Sequence, residues 1–125
     1  MQKTVLIADD NAFVRTALYE FFEREPDFQV IAMAENGQEA LEEAARLRPD
    51  LVVLDRTMPI MDGLAAARVL RKIMPDVLLI MYCATPDECP EALVKSAGVS
   101  AIVSKSENAS VLIDTCRSLL YRKAA

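Results

Sequence analysis

Four charged residues stand where their types and spacing allow chemistry. Asp9 and Asp10 form an acidic pair after the apolar run Val5–Ala8, Asp55 follows the run Leu51–Leu54, and Lys105 comes just beyond Ser100–Val103. Carboxylates gathered at one place repel: two unit charges about 4 Å apart cost roughly 4 kcal/mol at an effective dielectric near 20. A divalent cation relieves that repulsion, and a lysine relieves part of it. Mg²⁺ takes one or two protein carboxylates and keeps positions for water and phosphate. The set therefore suits a phosphoryl group, whose oxygens a metal and Lys105 neutralise during transfer. Asp55 is the candidate nucleophile, because carboxylates can form acyl phosphates. Each residue also has an ordinary reading. Asp55 alone is a turn residue or helix cap, the acidic pair before Asn11 simply starts a helix, and Lys105 is a solvated charge. The conjunction is harder to explain that way, since capping needs alone do not put four charges at three strand ends.

For these charges to meet, the apolar runs must lie side by side. The runs are Val5–Ala8, Phe28–Ala34, Leu51–Leu54, Val77–Tyr82 and Ser100–Val103. They are short, rich in Val, Ile and Leu, and apolar throughout, as strands buried on both faces are. Amphipathic stretches separate them. Asn11 caps the first, in which Val14, Ala17, Leu18, Phe21 and Phe22 make a helical stripe that Pro26 stops. Gly37 to Leu47 forms the second, with Ala40, Leu41, Ala44 and Leu47 on one side. Asp62-Gly63 opens the third, which ends before Pro75. Thr85-Pro86 caps and starts the fourth, which Gly98 ends. Ser106 caps the fifth, which reaches to about Arg122. Strand and helix thus alternate, which predicts an α/β fold: a (βα)5 doubly wound parallel sheet of five strands with helices on both faces. Ligands of such sheets bind at the carboxyl ends of the strands, where the four charges fall.

Composition removes other functions. The chain has 125 residues, one domain's worth, and no histidine, so no Ser-His-Asp triad, Cys-His pair or phosphohistidine can be built from it. A metal site must rest on oxygen donors, which favour Mg²⁺, Mn²⁺ or Ca²⁺. Cys83, Cys89 and Cys116 form no CxxC pair and leave one odd, against a disulfide framework or zinc site. A net charge of −5 argues against direct nucleic-acid contact. No apolar run approaches the roughly 20 residues of a membrane span, and Met1-Gln2-Lys3-Thr4 leaves no room for a signal peptide. The expectation is a cytoplasmic protein with a single domain over residues 1–125, whether free-standing or excised from a longer chain.

The chain resembles the receiver domains of bacterial two-component response regulators. The resemblance rests on Asp9-Asp10, on Leu51-Val52-Val53-Leu54-Asp55, on Met58-Pro59-Ile60-Met61-Asp62-Gly63-Leu64, on Ala34-Glu35-Asn36-Gly37-Gln38-Glu39-Ala40-Leu41, and on Lys105 after Gly98 to Ser104. The spacing is that of the branch often followed by a C-terminal helix-turn-helix output domain. The resemblance implies a flavodoxin-like sheet of order 2-1-3-4-5 and a set of roles. Asp55 accepts a phosphoryl group from the phosphohistidine of a sensor histidine kinase. Asp10, Asp55 and the backbone carbonyl of Thr57 bind Mg²⁺ (or Mn²⁺), and Asp9 binds it through water. Lys105 pairs with Asp55 and then with its phosphate. The protein catalyses only its own phosphorylation and dephosphorylation. The kinase touches the start of the first helix at Phe13 and Val14, unless that pair is ordinary core. A homodimer through the first helix, or through the fourth and fifth, is a further implication.

Three positions depart from the family pattern. Cys83 stands where a switch Thr or Ser is usual, and a thiol is a weak donor. Thr85, two residues on, offers a substitute hydroxyl if its loop is displaced. Ile102 stands at the switch aromatic position and is stiff at its first torsion. Ser106 replaces a proline whose bond is often cis, so the Lys105–Ser106 bond is expected to be trans. These departures predict retained phosphate chemistry with altered conformational coupling. They also leave room for a receiver-like binding module that signals without phosphate, which the four intact charges oppose. Asp55-Arg56-Thr57 loosely fits an aspartate-nucleophile phosphatase, but no general acid stands beside Asp55. An FMN carrier needs a phosphate-cradling loop after the first strand, where Asp9-Asp10 would repel it. A redox role for Cys83 is opposed by neighbouring carboxylates, which suppress the thiolate.

Overall fold

A computed structural model describes residues 2–85, 87 and 89–124. Among these residues strands and helices alternate: β1 (Lys3–Ala8), α1 (Ala12–Glu23), β2 (Phe28–Ala34), α2 (Gly37–Leu47), β3 (Leu51–Asp55), α3 (Gly63–Ile73), β4 (Leu78–Cys83), α4 (Glu91–Ser96), β5 (Ala101–Ser104) and α5 (Ala109–Ala124). The strands form one parallel sheet of order β2-β1-β3-β4-β5, as expected from the resemblance.

Alternation along the strands divides the core into two layers. Leu6, Ala8, Val52, Leu54, Leu79, Met81 and Cys83 pack with residues of α2, α3 and α4 on one face. Val5, Ile7, Leu51, Val53, Ile80, Tyr82 and Val103 pack with α1 and α5 on the other. Burial on both faces holds for β3 and β4 throughout and for β1 from Val5 onward. It fails for β2 and β5, where only the ends or one residue are fully buried. Their apolar composition did not reveal that they lie at the sheet's two edges, each with a strand on one side only.

Helix starts follow side-chain chemistry. Asn11 Oδ1 accepts from the N–H groups of Phe13 and Val14 at 2.9 and 3.2 Å, Asn36 Oδ1 from Glu39 at 2.8 Å, and Asp62 Oδ1 from Ala65 at 2.9 Å. Each satisfies donors that a helix leaves unpaired at its N-terminus. Two expected starts move. α4 begins at Glu91 behind Pro90, not at Thr85-Pro86. A proline at 90 lacks the N–H that a helix running through it would need, so it serves as the entry instead; Pro86 lies outside the described residues. α5 begins at Ala109 behind Asn108, whose Oδ1 accepts from Ser110 N at 3.0 Å. Ser106 instead meets Ser104, hydroxyl to hydroxyl at 2.8 Å. No cis peptide occurs among the described residues, so the Lys105–Ser106 bond is trans as expected.

Gly63 couples α3 to the end of β3. Its N–H donates to Arg56 O at 3.1 Å, and a Cβ on residue 63 would overlap the backbone carbonyl of Asp55. Gly63→Ala should therefore push α3 off the β3 terminus and destabilise the fold by about 1–3 kcal/mol, the usual cost of overpacking. Urea unfolding of the two proteins measures this.

Candidate functional site

The sheet's register assembles the charges. Ala8 pairs with Leu54, so Asp9 comes level with Asp55 one step on. Asp55 pairs with Tyr82, and Tyr82 with Val103. The ladder continues past the strand ends: Asp9 N–H donates to Ala34 O at 3.0 Å and Lys105 N–H to Cys83 O at 2.7 Å. Residues two apart share a face. Ile7, Val53 and Val103 all face α1 and α5, so Asp9, Asp55 and Lys105, each two residues further, turn to the same side of the carboxyl edge.

Lys105 Nζ lies 2.9 Å from Asp9 Oδ2 and 3.2 Å from Asp55 Oδ1. The ring of Tyr82 is 5.9 Å from the same ammonium. Asp9 and Asp55 are buried, whereas Asp10 is exposed. One carboxylate oxygen of each of the three lies within 4.8 Å of the others. Asp9 Oδ1 accepts from Asn11 N at 2.9 Å. Its buried Oδ2 accepts no aligned hydrogen bond; the contact with Lys105 is an ion pair by distance only. Asp55 Oδ1 receives a long contact from Thr57 N at 3.4 Å, and Thr57 itself is exposed in the loop after β3. A buried, under-satisfied oxygen beside two more carboxylates is an all-oxygen donor set, which fits a hard cation such as Mg²⁺ or Mn²⁺.

Burial, and then the charge of Asp9, push the Asp55 carboxyl up to about 6 against the pull of Lys105. Burial works against the Lys105 ammonium, but Asp9 and then Asp55 outweigh it and hold the group above its usual range. Burial also raises the Tyr82 phenol, with Lys105 opposing. The cluster as it stands is short of positive charge.

Asp9, Asp10, Asp55 and Lys105 are thus brought together, with Thr57 beside them. Cys83 and Ile102 belong to the other face of the sheet. Cys83 is fully buried in the α2–α3–α4 layer, and Ile102 packs against that same layer. Phe13 is 88% exposed, so the core reading fails for it, while half-buried Val14 does pack against the α1–α5 layer. Three contacts went unread in the sequence. Lys105 pairs with Asp9 as well as Asp55. Tyr82 underlies Lys105, a position that the register of β4 with β3 would have shown. Arg15 reaches back to the Asp9 carbonyl at 2.7 Å; its place one turn into α1 was the available signal.

A doubly wound α/β domain with this acidic edge is of the flavodoxin-like class. Residues 5–117 match the response regulator receiver domain, and the chain belongs to that family. It is 36% identical over 104 residues to a protein-glutamate methylesterase/protein-glutamine glutaminase of Methanosarcina acetivorans, covering 82% of this chain and 30% of that one. It is 33% identical over 123 residues to the corresponding protein of Aliivibrio fischeri, covering 97% and 33%. The chain therefore spans about a third of the length of these curated relatives. Among solved structures, the response regulator domain of Thermotoga maritima CheB superposes with a TM-score of 0.88 at 26% identity, covering 97% of this chain and 98% of that one. The receiver domain of AraT from Geobacillus stearothermophilus gives 0.87 at 31% identity, covering 98% and 95%. CheY of Borrelia burgdorferi, solved with CheX, BeF3 and Mg²⁺, gives 0.85 at 26% identity, covering 94% and 88%. The protein is a receiver domain of two-component signalling. Among the described residues, no helix is long and apolar enough to cross a membrane.

The raised Asp55 carboxyl makes metal-free stability depend on pH. The unfolded chain releases this proton near 3.8 and the folded site near 6. The folded state therefore binds more protons between these values, and the contribution of Asp55 falls as pH rises through that window. In metal-free buffer Asp55→Asn should melt several degrees above the wild type at pH 7 and close to it at pH 4. Thermal melts at the two pH values check the sign; equal gaps at both would refute the electrostatic account.

Proposed function

We propose that Asp55 is the phosphoacceptor of this receiver domain and takes its phosphoryl group from the phosphohistidine of a sensor histidine kinase. The observation that carries this reading is the Asp55 carboxylate at the tip of β3, 3.2 Å from Lys105 Nζ and clustered with the oxygens of Asp9 and Asp10. An Asp55 oxygen attacks phosphorus in line; the P–N bond breaks, and its electron pair returns to the imidazole. Asp10, Asp55 and the Thr57 carbonyl would hold Mg²⁺ (or Mn²⁺), with Asp9 acting through a bound water. When bound, the ion supplies charge neutralisation of the phosphoryl oxygens. Lys105 balances the buried carboxylates before transfer and turns its ammonium to the phosphoryl oxygens after it. Hydrolysis of the acyl phosphate by water returns Asp55 to its starting state, so the domain acts only on itself.

The partner would approach over the carboxyl edge, where Phe13 and Ile60 are 88% and 82% exposed. A second copy of the chain would cover the exposed apolar residues of α1, or those of α4 and α5 such as Leu93 and Val111. The output differs from the usual family scheme. Cys83 and Ile102 pack in the α2–α3–α4 layer, and residue 83 offers a thiol where the family has a hydroxyl. A hydrogen bond to a charged group is worth about 1.5–3 kcal/mol; losing about 1 kcal/mol of bias lowers the active-to-inactive ratio roughly fivefold.

Acetyl phosphate with Mg²⁺ should add one phosphoryl mass to the protein and none to Asp55→Ala. No labelling of the wild type, or equal labelling of both, would reject Asp55. Cys83→Thr should label as the wild type does but show larger phosphorylation-induced NMR shift changes in α4 and β5. Identical shift changes in the two proteins would remove Cys83 from the coupling. A generic phosphate ester should not be turned over.

A further inference from the structure

Asp10 is the one carboxylate of the cluster with no hydrogen bond or ion pair of its own among the described residues, so its direction depends on the main chain that carries it. That main chain is held closely at the preceding residue. Asp9 N–H donates to Ala34 O at 3.0 Å, and Asp9 Oδ1 accepts from Asn11 N at 2.9 Å. The Asp9 carbonyl accepts from Arg15 Nη1 at 2.7 Å. That carbonyl belongs to the peptide unit joining Asp9 to Asp10. Turning it would turn the Asp10 Cα and re-aim the carboxylate. The second arm of the fork, Arg15 Nη2, reaches Glu35 Oε1 at 3.2 Å, just past the end of β2. Arg15 therefore ties the Asp9–Asp10 peptide to the edge of the sheet.

Helix formation does not explain this arginine. It sits near the N-terminus of α1, where the helix dipole disfavours a cation, and its side chain is only 15% exposed although arginine is seldom buried. Its pair with Glu35, itself 65% exposed, adds little stability. A residue placed against local preference points to a role at the site.

We infer that Arg15 is a positioning residue for the cation site: through the Asp9 carbonyl it fixes the direction of the Asp10 carboxylate. This rests on the reading of Asp10 as a metal ligand. Two other roles make different forecasts. A guanidinium acting only as a nearby charge competes with a divalent cation, so its removal would tighten binding. A guanidinium acting only as a staple between α1 and β2 would change the melting temperature and leave affinity alone.

Calorimetric titration with Mg²⁺ separates these. Arg15→Ala should bind Mg²⁺ about tenfold more weakly than the wild type, the usual scale for residues that orient metal ligands, although the variant is more negative. Arg15→Lys keeps the charge but not the two-armed fork, so it should fall between the two. Glu35→Gln should stay within about twofold of the wild type, because the carbonyl contact survives it. Circular dichroism confirms the fold of each variant, and should Arg15→Ala not fold, Arg15→Lys decides alone: affinity equal to the wild type's overturns the inference. Unchanged or tighter binding by folded Arg15→Ala also overturns it, while leaving the proposed function intact. If the wild type binds no Mg²⁺, the metal reading falls and this inference falls with it.

Discussion

Two buried carboxylates share one ammonium at the end of this sheet, and the rest of the structure is arranged around that imbalance. Asp9 and Asp55 are both removed from water, and among the described residues only Lys105 ion-pairs with both. Burial first, and then the charge of Asp9, hold the Asp55 carboxyl up at about 6 although Lys105 pulls it down. Groups that repel stay together only on a framework too rigid to let them part. β1 and β3 supply it, lying side by side in the interior with their residues packed into both layers, and Gly63 lets α3 close directly onto the Asp55 carbonyl. The unfavourable charge energy is thus set against the burial of the central strands.

Strand parity puts the charged residues and two of the positions that depart from the family pattern on opposite faces. Asp9, Asp55 and Lys105 turn toward the α1–α5 side, while Cys83 and Ile102 belong to the α2–α3–α4 side. Cys83 nevertheless stands at the same carboxyl edge as Asp55, one residue beyond its β4 partner Tyr82. Lys105 N–H donates to Cys83 O at 2.7 Å, so the peptide units at the ends of β4 and β5 are joined where the two faces meet. Tyr82 lies on the charged side, against the Lys105 ammonium. An aromatic ring therefore remains close to the site although position 102 carries none, but it sits on β4 and on the other face.

The fold and the charged residues were legible because both depend on short-range rules. Val- and Leu-rich runs mark strands, Asn11 and Asp62 have the side chains that cap helices, and parallel topology gathers strand ends at one edge. What escaped depends on competition or on distance. Thr85-Pro86 and Pro90 were rival entries to α4, and composition alone does not say which proline the chain turns on. Ser106 and Asn108 were likewise rival caps for α5, and Ser104 captured the serine hydroxyl. The edge positions of β2 and β5 follow from the order that the resemblance implied, but the composition of the two runs does not carry the exposure that goes with an edge. The Lys105–Asp9 pair and the reach of Arg15 cross between elements, and no spacing in one dimension encodes them.

The two cations near the cluster divide the work according to their chemistry. Lysine is a compact charge on a flexible stem, able to exchange one oxygen partner for another; arginine is a planar fork that holds two acceptors in fixed relation. Lys105 touches carboxylate oxygens whose partners must change if a phosphoryl group arrives. Arg15 touches a main-chain carbonyl and Glu35. Exchanging the two residue types would fail at both places. A fork at 105 would lock the carboxylates together, and a point charge at 15 could not span the Asp9 carbonyl and Glu35 at once. On the proposed reading the site uses one cation that moves and one that does not, and the chemistry of lysine and arginine suits those two places.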